Sequence, residues 1–205
     1  MTEPDTADTI VMRHLSDIEG AVRHVKGVLE PKFWEAVSNR MEAWAAERDW
    51  IKDVDPQTEG DYWLAPRAWQ SPDDEDDAEF WFSLTVTSGD NGEDVTALAP
   101  FVGASAHGNR YVLSFERERP KKRAWQTLLS QSDELLQQLR EREFETDTRA
   151  GTIAYPVILD AGELGAAFAD EDFDVVLAPL MAVLGVAEQA LHLFDQLVLA
   201  GRSAS

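Results

Sequence analysis

The chain contains no cysteine. This absence excludes disulfides, thiolate catalysis, iron–sulfur clusters and cysteine-based zinc sites. Basic residues are also scarce, because 18 Lys and Arg stand against 39 Asp and Glu, which gives a net charge of −21. A protein that grips the phosphate backbone needs clustered cations, so we expect no direct nucleic-acid partner.

Long apolar runs are missing as well. No uninterrupted apolar stretch reaches the roughly 18 residues that a membrane-spanning helix needs. The first ten residues, MTEPDTADTI, lack the basic region and apolar core of a secretory signal. The sequence therefore predicts a cytoplasmic protein with no membrane partner.

What the chain does contain is an ordinary globular composition. It has 205 residues, of which 44% are hydrophobic and 9% aromatic. That length and composition predict one domain spanning residues 1–205.

Helical periodicity comes first along the chain. Apolar residues recur with gaps of 4, 3, 4, 3 and 4, at Val11, Leu15, Ile18, Val22, Val25 and Leu29. This heptad-type seam predicts a helix over 8–29, which packs either on the domain or on another subunit. Pro31 is expected to end it and to open a second helix over 32–48. Residues 8–48 are thus predicted to be a helical pair packed on the domain.

The spacing of the apolar residues then changes from the helical period to a period of two, which is typical of strands. Strands are predicted over 62–69, 79–87, 95–102 and 110–118, with residues 49–60 as a polar connection. A long helix over 121–145, a strand over 152–159 and two further helices follow. The order α-α-β-β-β-β-α-β-α-α predicts an α+β fold, with a mainly antiparallel sheet of four to five strands packed by helices.

The acidic residues are densest in one loop, at 70–79, which we expect to be mobile. It carries Asp73, Asp74, Glu75, Asp76, Asp77 and Glu79. Three interpretations are open: a solvated loop that aids solubility, adaptation to a salty cytoplasm, or a face that binds a basic partner. Only 5 of the 18 bases are Lys, which fits salt adaptation and also fits a genome rich in GC.

One compact basic run interrupts the acidic chain. It consists of Arg117, Arg119, Lys121, Lys122 and Arg123. Either these cations pair with nearby acids at a junction between strand and helix, or they contact an anion or an acidic partner. Lys121 and Lys122 are unfavourable at the start of a helix unless something negative lies close to them.

Motifs for catalysis or cofactors are missing. The glycines form neither a phosphate-binding loop nor a dinucleotide-binding pattern, and no nucleophile elbow is present. The four histidines, His14, His24, His107 and His192, are not spaced as a zinc site. No cofactor, resident metal or catalytic residue is therefore predicted.

The order of elements from the second helix onward is similar in outline to the PD-(D/E)XK nuclease fold. That resemblance implies a Mg²⁺ site built from acids on two adjacent strands, with a Lys two residues after the second acid. The nearest acids are Asp94 and Glu116, but Glu118 stands where the Lys would be.

These observations leave three hypotheses of function. The leading one is a non-enzymatic acidic interaction protein, an accessory subunit or an inhibitor, whose acidic loop binds a basic protein partner. A surface of that partner that binds nucleic acid is one candidate for the contact. The second is a divergent or inactive metal-dependent nuclease-like protein that uses Asp94 and Glu116. The third is a structural module that forms a homo-oligomer through the N-terminal helix.

Overall fold

A computed structural model describes residues 7–54, 62–72, 74, 77–87 and 94–204. It combines helices with one antiparallel sheet, which confirms the predicted α+β class. The sheet has six strands rather than four to five. These are β1 (Trp50–Asp53), β2 (Tyr62–Pro66), β3 (Phe80–Thr87), β4 (Arg110–Arg117), β5 (Glu145–Asp147) and β6 (Thr152–Val157).

The sheet begins as a meander of four strands, and a hairpin formed by β5 and β6 is added at its β4 edge. The strand order is β1-β2-β3-β4-β6-β5, and every neighbouring pair is antiparallel. Because β6 lies between β4 and β5, the last hairpin extends the meander at the β4 edge.

The helices come before, within and after the strands. They are α1 (Ala7–Arg13), α2 (Leu15–His24), α3 (Glu30–Glu47), α4 (Leu98–Phe101), α5 (Lys122–Ser130), α6 (Asp133–Arg140), α7 (Ala161–Asp170), α8 (Ala178–Gln189) and α9 (Leu191–Ser203). Within the described residues, no single helix is long and apolar enough to cross a membrane. Only α8 and α9 taken together reach that length, and they meet at 61°.

One face of the sheet forms the core with the helices. Along β3, Phe80, Phe82 and Leu84 are buried, whereas the residues between them are only half-buried. The ring of Phe194 on α9 lies 4.9 Å from that of Phe82 and 4.8 Å from that of Phe115 on β4, measured between centroids. This aromatic contact fixes α9 against the centre of the sheet.

The N-terminal helices differ from the predicted pair. A π-helical turn, Val25–Leu29, joins α2 to α3, and the backbone at Leu29 stays helical. The backbone N–H of Glu30 donates to the Val25 carbonyl, so helical hydrogen bonding continues into α3, and Pro31 lies in the first turn of that helix. The second helix therefore begins near Pro31 as predicted, but the expected break before it is a π-helical turn, a distortion that accommodates an irregularity without ending the helix.

The strand predicted over 95–102 is wrong too. This segment holds the short helix α4, and the backbone N–H of Ala97 before it donates to Glu30 at 2.5 Å. The two strands missing from the prediction, β1 and β5, have only four and three residues. Such short segments carry too few residues for a period of two to be recognised.

The long helix predicted over 121–145 is divided. It forms α5 and α6, which are separated by Gln131 and Ser132. The Ser132 hydroxyl donates to the Leu128 carbonyl oxygen at 2.9 Å, which satisfies an acceptor at the end of α5.

Candidate functional site

The second face of the sheet carries small and polar side chains in its centre. The register places Trp81 opposite Glu116, Ser83 opposite Ser114, and Thr85 opposite Val112. Trp81, Ser83 and Thr85 are half-buried, in contrast to the fully buried residues that alternate with them. This face, hereafter the open face, is therefore the candidate site for contact with another molecule.

A groove of about 640 Å³ runs over the open face from β3 to β5. Its lining is Thr85, Val86, Thr87, Arg110, Val112, Ser114, Glu116, Glu145, Thr146, Asp147, Thr152 and Ala154. Val112 and Ala154 are 1% and 8% exposed, yet neither belongs to the main apolar core. They form the floor of the groove.

Carboxylates dominate the charge in the groove. The Arg110 guanidinium forms an ion pair with Glu145, and its Nη1 donates to Oε1 at 2.9 Å. The Ser114 hydroxyl donates to Glu116 at 2.6 Å. Asp147 accepts the backbone N–H groups of Ala150 and Arg149, which hold the pKa of its carboxyl below the usual range. The groove lining thus has three carboxylates and one arginine, and that arginine is paired.

Two tryptophans border the groove on the side of β2. The ring centroids of Trp63 and Trp81 are 6.4 Å apart, with 55° between the ring planes. Both side chains are half-buried. Trp63 lies opposite Ser83 on β3 and Asp53 on β1, so this aromatic pair also has acidic neighbours. The open face therefore combines ring surface with negative charge.

The predicted acidic loop is only partly described. Asp73, Glu75 and Asp76 lie outside the described residues. An isolated bridge between Gln70 and Ala78 closes the loop, and Asp77 accepts the backbone N–H of Ala78 at 2.8 Å. Asp74 is exposed.

Glu79, the last residue of the loop, has a partner within the chain. Its carboxylate forms an ion pair with Arg202 on α9 at 2.6 Å. This contact ties the start of β3 to α9, so part of the role of Glu79 is structural.

The predicted basic run divides into two parts. Arg117 is half-buried, with its guanidinium 4.7 Å from the centroid of the Trp125 ring and its Nε donating to the Pro120 carbonyl at 3.2 Å. Arg119 is exposed and lies 3.6 Å from Glu118. Lys121, Lys122 and Arg123 are exposed at the start of α5.

The structure brings the acidic loop and the basic run to the same end of the sheet. The backbone N–H of Glu118 donates to the Glu79 carbonyl oxygen at 2.9 Å. Since β3 begins where β4 ends, the two oppositely charged segments are neighbours despite about forty intervening residues. Sequence reasoning missed this relation because it depends on strand pairing.

The two acids of the nuclease-like alternative are not brought together. The Asp94 carboxylate accepts from the Asn109 side-chain amide at 2.9 Å, and Asn109 directly precedes β4. Glu116 is near the other end of that strand, seven residues and about 24 Å from Asn109 at about 3.4 Å per residue. Among the described residues, no group of three or more His, Asp or Glu side chains is placed to hold a metal ion.

Burial and hydrogen bonding act on Asp94 in opposite directions. Partial desolvation raises the pKa of its carboxyl, but hydrogen bonds from Ser105, Asn109 and the Ala106 backbone outweigh it and lower the pKa. Asp94 therefore anchors the turn before β4 as a stable carboxylate.

Comparison with family models, curated proteins and solved structures finds no significant match.

Proposed function

We propose that the protein is a non-enzymatic acidic interaction protein, an accessory subunit or an inhibitor, that binds a basic segment of a protein partner. The segment lies across the open face and extends toward the acidic loop at the start of β3. The observation that carries this proposal is the half-buried pair Trp63 and Trp81 beside Glu116.

Ring surface next to carboxylates suits arginine and lysine side chains. A guanidinium over an indole ring gains about 0.5–2 kcal/mol, depending on how far the pair is desolvated. The chain makes such contacts internally, since Arg48 lies 4.2 Å from the Trp44 ring centroid and Arg117 lies over Trp125. Trp63 and Trp81 offer the same kind of surface to cations from another molecule.

The charge of the chain supports the same class of partner. A net charge of −21 attracts a basic protein from a distance, and this attraction weakens as the salt concentration rises. We propose that the contact is made at a basic surface of the partner that can also bind the phosphate backbone of a nucleic acid. The proposal places the protein in the cytoplasm, in line with its lack of cysteine.

The first experiment uses a synthetic ten-residue peptide with arginine at alternate positions as a probe. Alternate residues of an extended peptide point to the same side, so its arginines can face the sheet together. We expect binding at low salt that weakens at least tenfold at about 0.3 M salt, where the Debye length is below about 8 Å.

Three variants test the site rather than the overall charge. We expect Trp81→Thr, Glu116→Gln and the loop variant with Asp73, Asp74, Asp76 and Asp77 all changed to Asn to weaken peptide binding. Glu163→Gln is the matched control, since Glu163 is exposed on α7 and its loss changes the net charge as much as the loss of Glu116. Circular dichroism checks that each variant is folded.

Two results would contradict the proposal. Equal weakening by Glu116→Gln and Glu163→Gln would show that net charge alone attracts the peptide. If Trp81→Thr and the loop variant both bind the peptide as well as the wild type, neither the tryptophans of the open face nor the acidic loop contacts the peptide.

A further inference from the structure

Each tryptophan of the open face has an acid as its neighbour on the adjacent strand. Trp81 on β3 lies opposite Glu116 on β4, and Trp63 on β2 lies opposite Asp53 on β1. Residues paired in this way have Cβ atoms about 4.5–5.5 Å apart and side chains on the same side of the sheet. The open face therefore presents, across four neighbouring strands, the order carboxylate, ring, ring, carboxylate.

A buried hydroxyl holds the Glu116 carboxylate in place beside Trp81. Ser114 is 4% exposed, and its Oγ–H donates to Glu116 Oε1 at 2.6 Å. The second carboxylate oxygen, Oε2, accepts no hydrogen bond from the part of the chain that the structure describes. This oxygen is thus placed to accept from a donor on another molecule that lies over the Trp81 ring.

The chain itself shows how a ring and a carboxylate together bind arginine. The Arg48 guanidinium lies 4.2 Å from the centroid of the Trp44 ring, and its Nε donates to Glu188 Oε2 at 2.9 Å. Arginine makes both contacts at once, because the planar guanidinium stacks on the ring while its N–H groups point outward in the same plane. A lysine ammonium is a compact, strongly hydrated charge and has no such plane. The neighbouring ring and carboxylate on the open face therefore favour arginine over lysine.

The distance between the two rings sets the spacing of the arginines. The centroids of Trp63 and Trp81 are 6.4 Å apart. In an extended segment alternate residues point to the same side and are about 6.6 Å apart, at about 3.3 Å per residue. Two arginines separated by one residue therefore match the two rings, whereas adjacent residues point to opposite sides.

We infer that the partner's basic segment contains an extended Arg-X-Arg sequence whose two guanidinium groups lie over Trp81 and Trp63. The first guanidinium also donates to Glu116, and the second lies on the side of Asp53. This inference rests on the proposed function, and it specifies the residue type and the spacing that the open face selects.

Three ten-residue peptides with cations at the same five alternate positions test the inference. The first has arginine at two neighbouring cationic positions in the middle and lysine at the other three. The second has lysine at all five positions. The third has its two arginines at the first and last cationic positions. All three carry the same charge, so calorimetric titration of the full chain compares residue type and spacing alone.

We expect the first peptide to bind about fivefold more tightly than the lysine peptide, because stacking and paired N–H groups favour the guanidinium. The third peptide should lose most of that gain, since its arginines are too far apart to reach both rings. Trp63→Thr should make the first and third peptides bind equally, because only one ring remains. Glu116→Gln should lower the preference for arginine, and Glu163→Gln, at an exposed position on α7, should retain it.

The possible results distinguish this inference from the proposed function. Equal binding of the first peptide and the lysine peptide to the wild type would overturn the inference and leave the proposed function standing. Equal binding of the first and third peptides to the wild type would overturn the Arg-X-Arg spacing. If none of the peptides binds, the proposed function fails and the inference fails with it. These comparisons use the unaltered protein, so they hold even where a variant does not fold.

Discussion

The guanidinium of Arg117 lies over the ring of Trp125, 4.7 Å from its centroid. Burial lowers the pKa of Arg117, and the charge of the neighbouring Glu116 opposes that effect. The contact joins the end of β4 to the first turns of α5. An arginine that belongs to a basic run in the sequence is thus part of the packing in the fold.

We expect Arg117→Ala to lower the free energy of unfolding by about 1–3 kcal/mol. The change removes the cation–π contact, the hydrogen bond to Pro120 and the packing of the side-chain stem. Urea denaturation followed by tryptophan fluorescence measures the loss. Arg119→Ala, at an exposed position, is the control and should change stability by less than about 0.5 kcal/mol. Equal effects of the two changes would show that the stacking contributes nothing.

Gly201 is predicted to tolerate no side chain. A Cβ there would lie 2.7 Å from Cζ of Phe80, a ring that is fixed in the core. Gly201→Ala should therefore destabilise the protein by about 1–3 kcal/mol through overpacking.

Gly185→Ala provides the matched control for that change. A Cβ at Gly185 meets no heavy atom of the described residues within 4 Å, and the residue lies inside α8. Alanine favours helix there, so thermal unfolding should show a gain of about 0.5–1 kcal/mol. A loss at both glycines would contradict the packing described for α8 and α9.

Trp69 and Asp195 form a polar contact at the edge of the core. Trp69 is 1% exposed, and its Nε1–H donates to Asp195 Oδ1 at 2.8 Å. Asp195→Ala leaves a buried donor without this acceptor and should cost about 1–3 kcal/mol in chemical denaturation. Asp195→Asn keeps an acceptor oxygen and should cost less. A smaller effect from Ala than from Asn would argue against the hydrogen bond.

Acid should remove the contribution of Asp147 to stability. Its pKa is lowered by the N–H groups of Ala150 and Arg149, so the native state binds fewer protons there than the unfolded state. The stabilisation is complete above the ordinary carboxyl range, near pH 4, and disappears as the pH falls through the lowered pKa.

Thermal melts of the wild type and Asp147→Asn between about pH 7 and pH 2.5 test this linkage. The difference in melting temperature should be largest at neutral pH and should shrink as the pH falls. A difference that stays constant over the whole range would mean that ionisation of Asp147 does not stabilise the turn.

Long periodic segments were predictable from the sequence, and short or context-dependent ones were not. The alternation in β3 and β4 was recognised because eight residues provide several repeats of the period. Residues 95–102 read as a strand by composition, but the contact between Ala97 and Glu30 belongs to a helical turn. That contact joins residues 67 positions apart, which no local pattern contains.

The candidate site shows the same division. The sequence marked the acidic loop and the basic run but treated them as separate features. It also contained Trp63 and Trp81 without any signal of which side of the sheet the helices cover. Which face of the sheet is covered depends on where α8 and α9 pack, and that packing is set by apolar contacts across the whole domain.

The sequence by itself determined the α+β class, the acidic charge, the lack of thiol chemistry and the heptad-type stripe of the first helix. These follow from composition and local period, which need no knowledge of distant contacts. Only the tertiary structure decided that the first residues of the heptad-type seam are exposed to solvent. It also decided that Arg117 stacks on Trp125, and that Trp63, Trp81 and Glu116 share the open face. Each of these depends on strand register and helix packing, which bring together residues that are far apart in the chain.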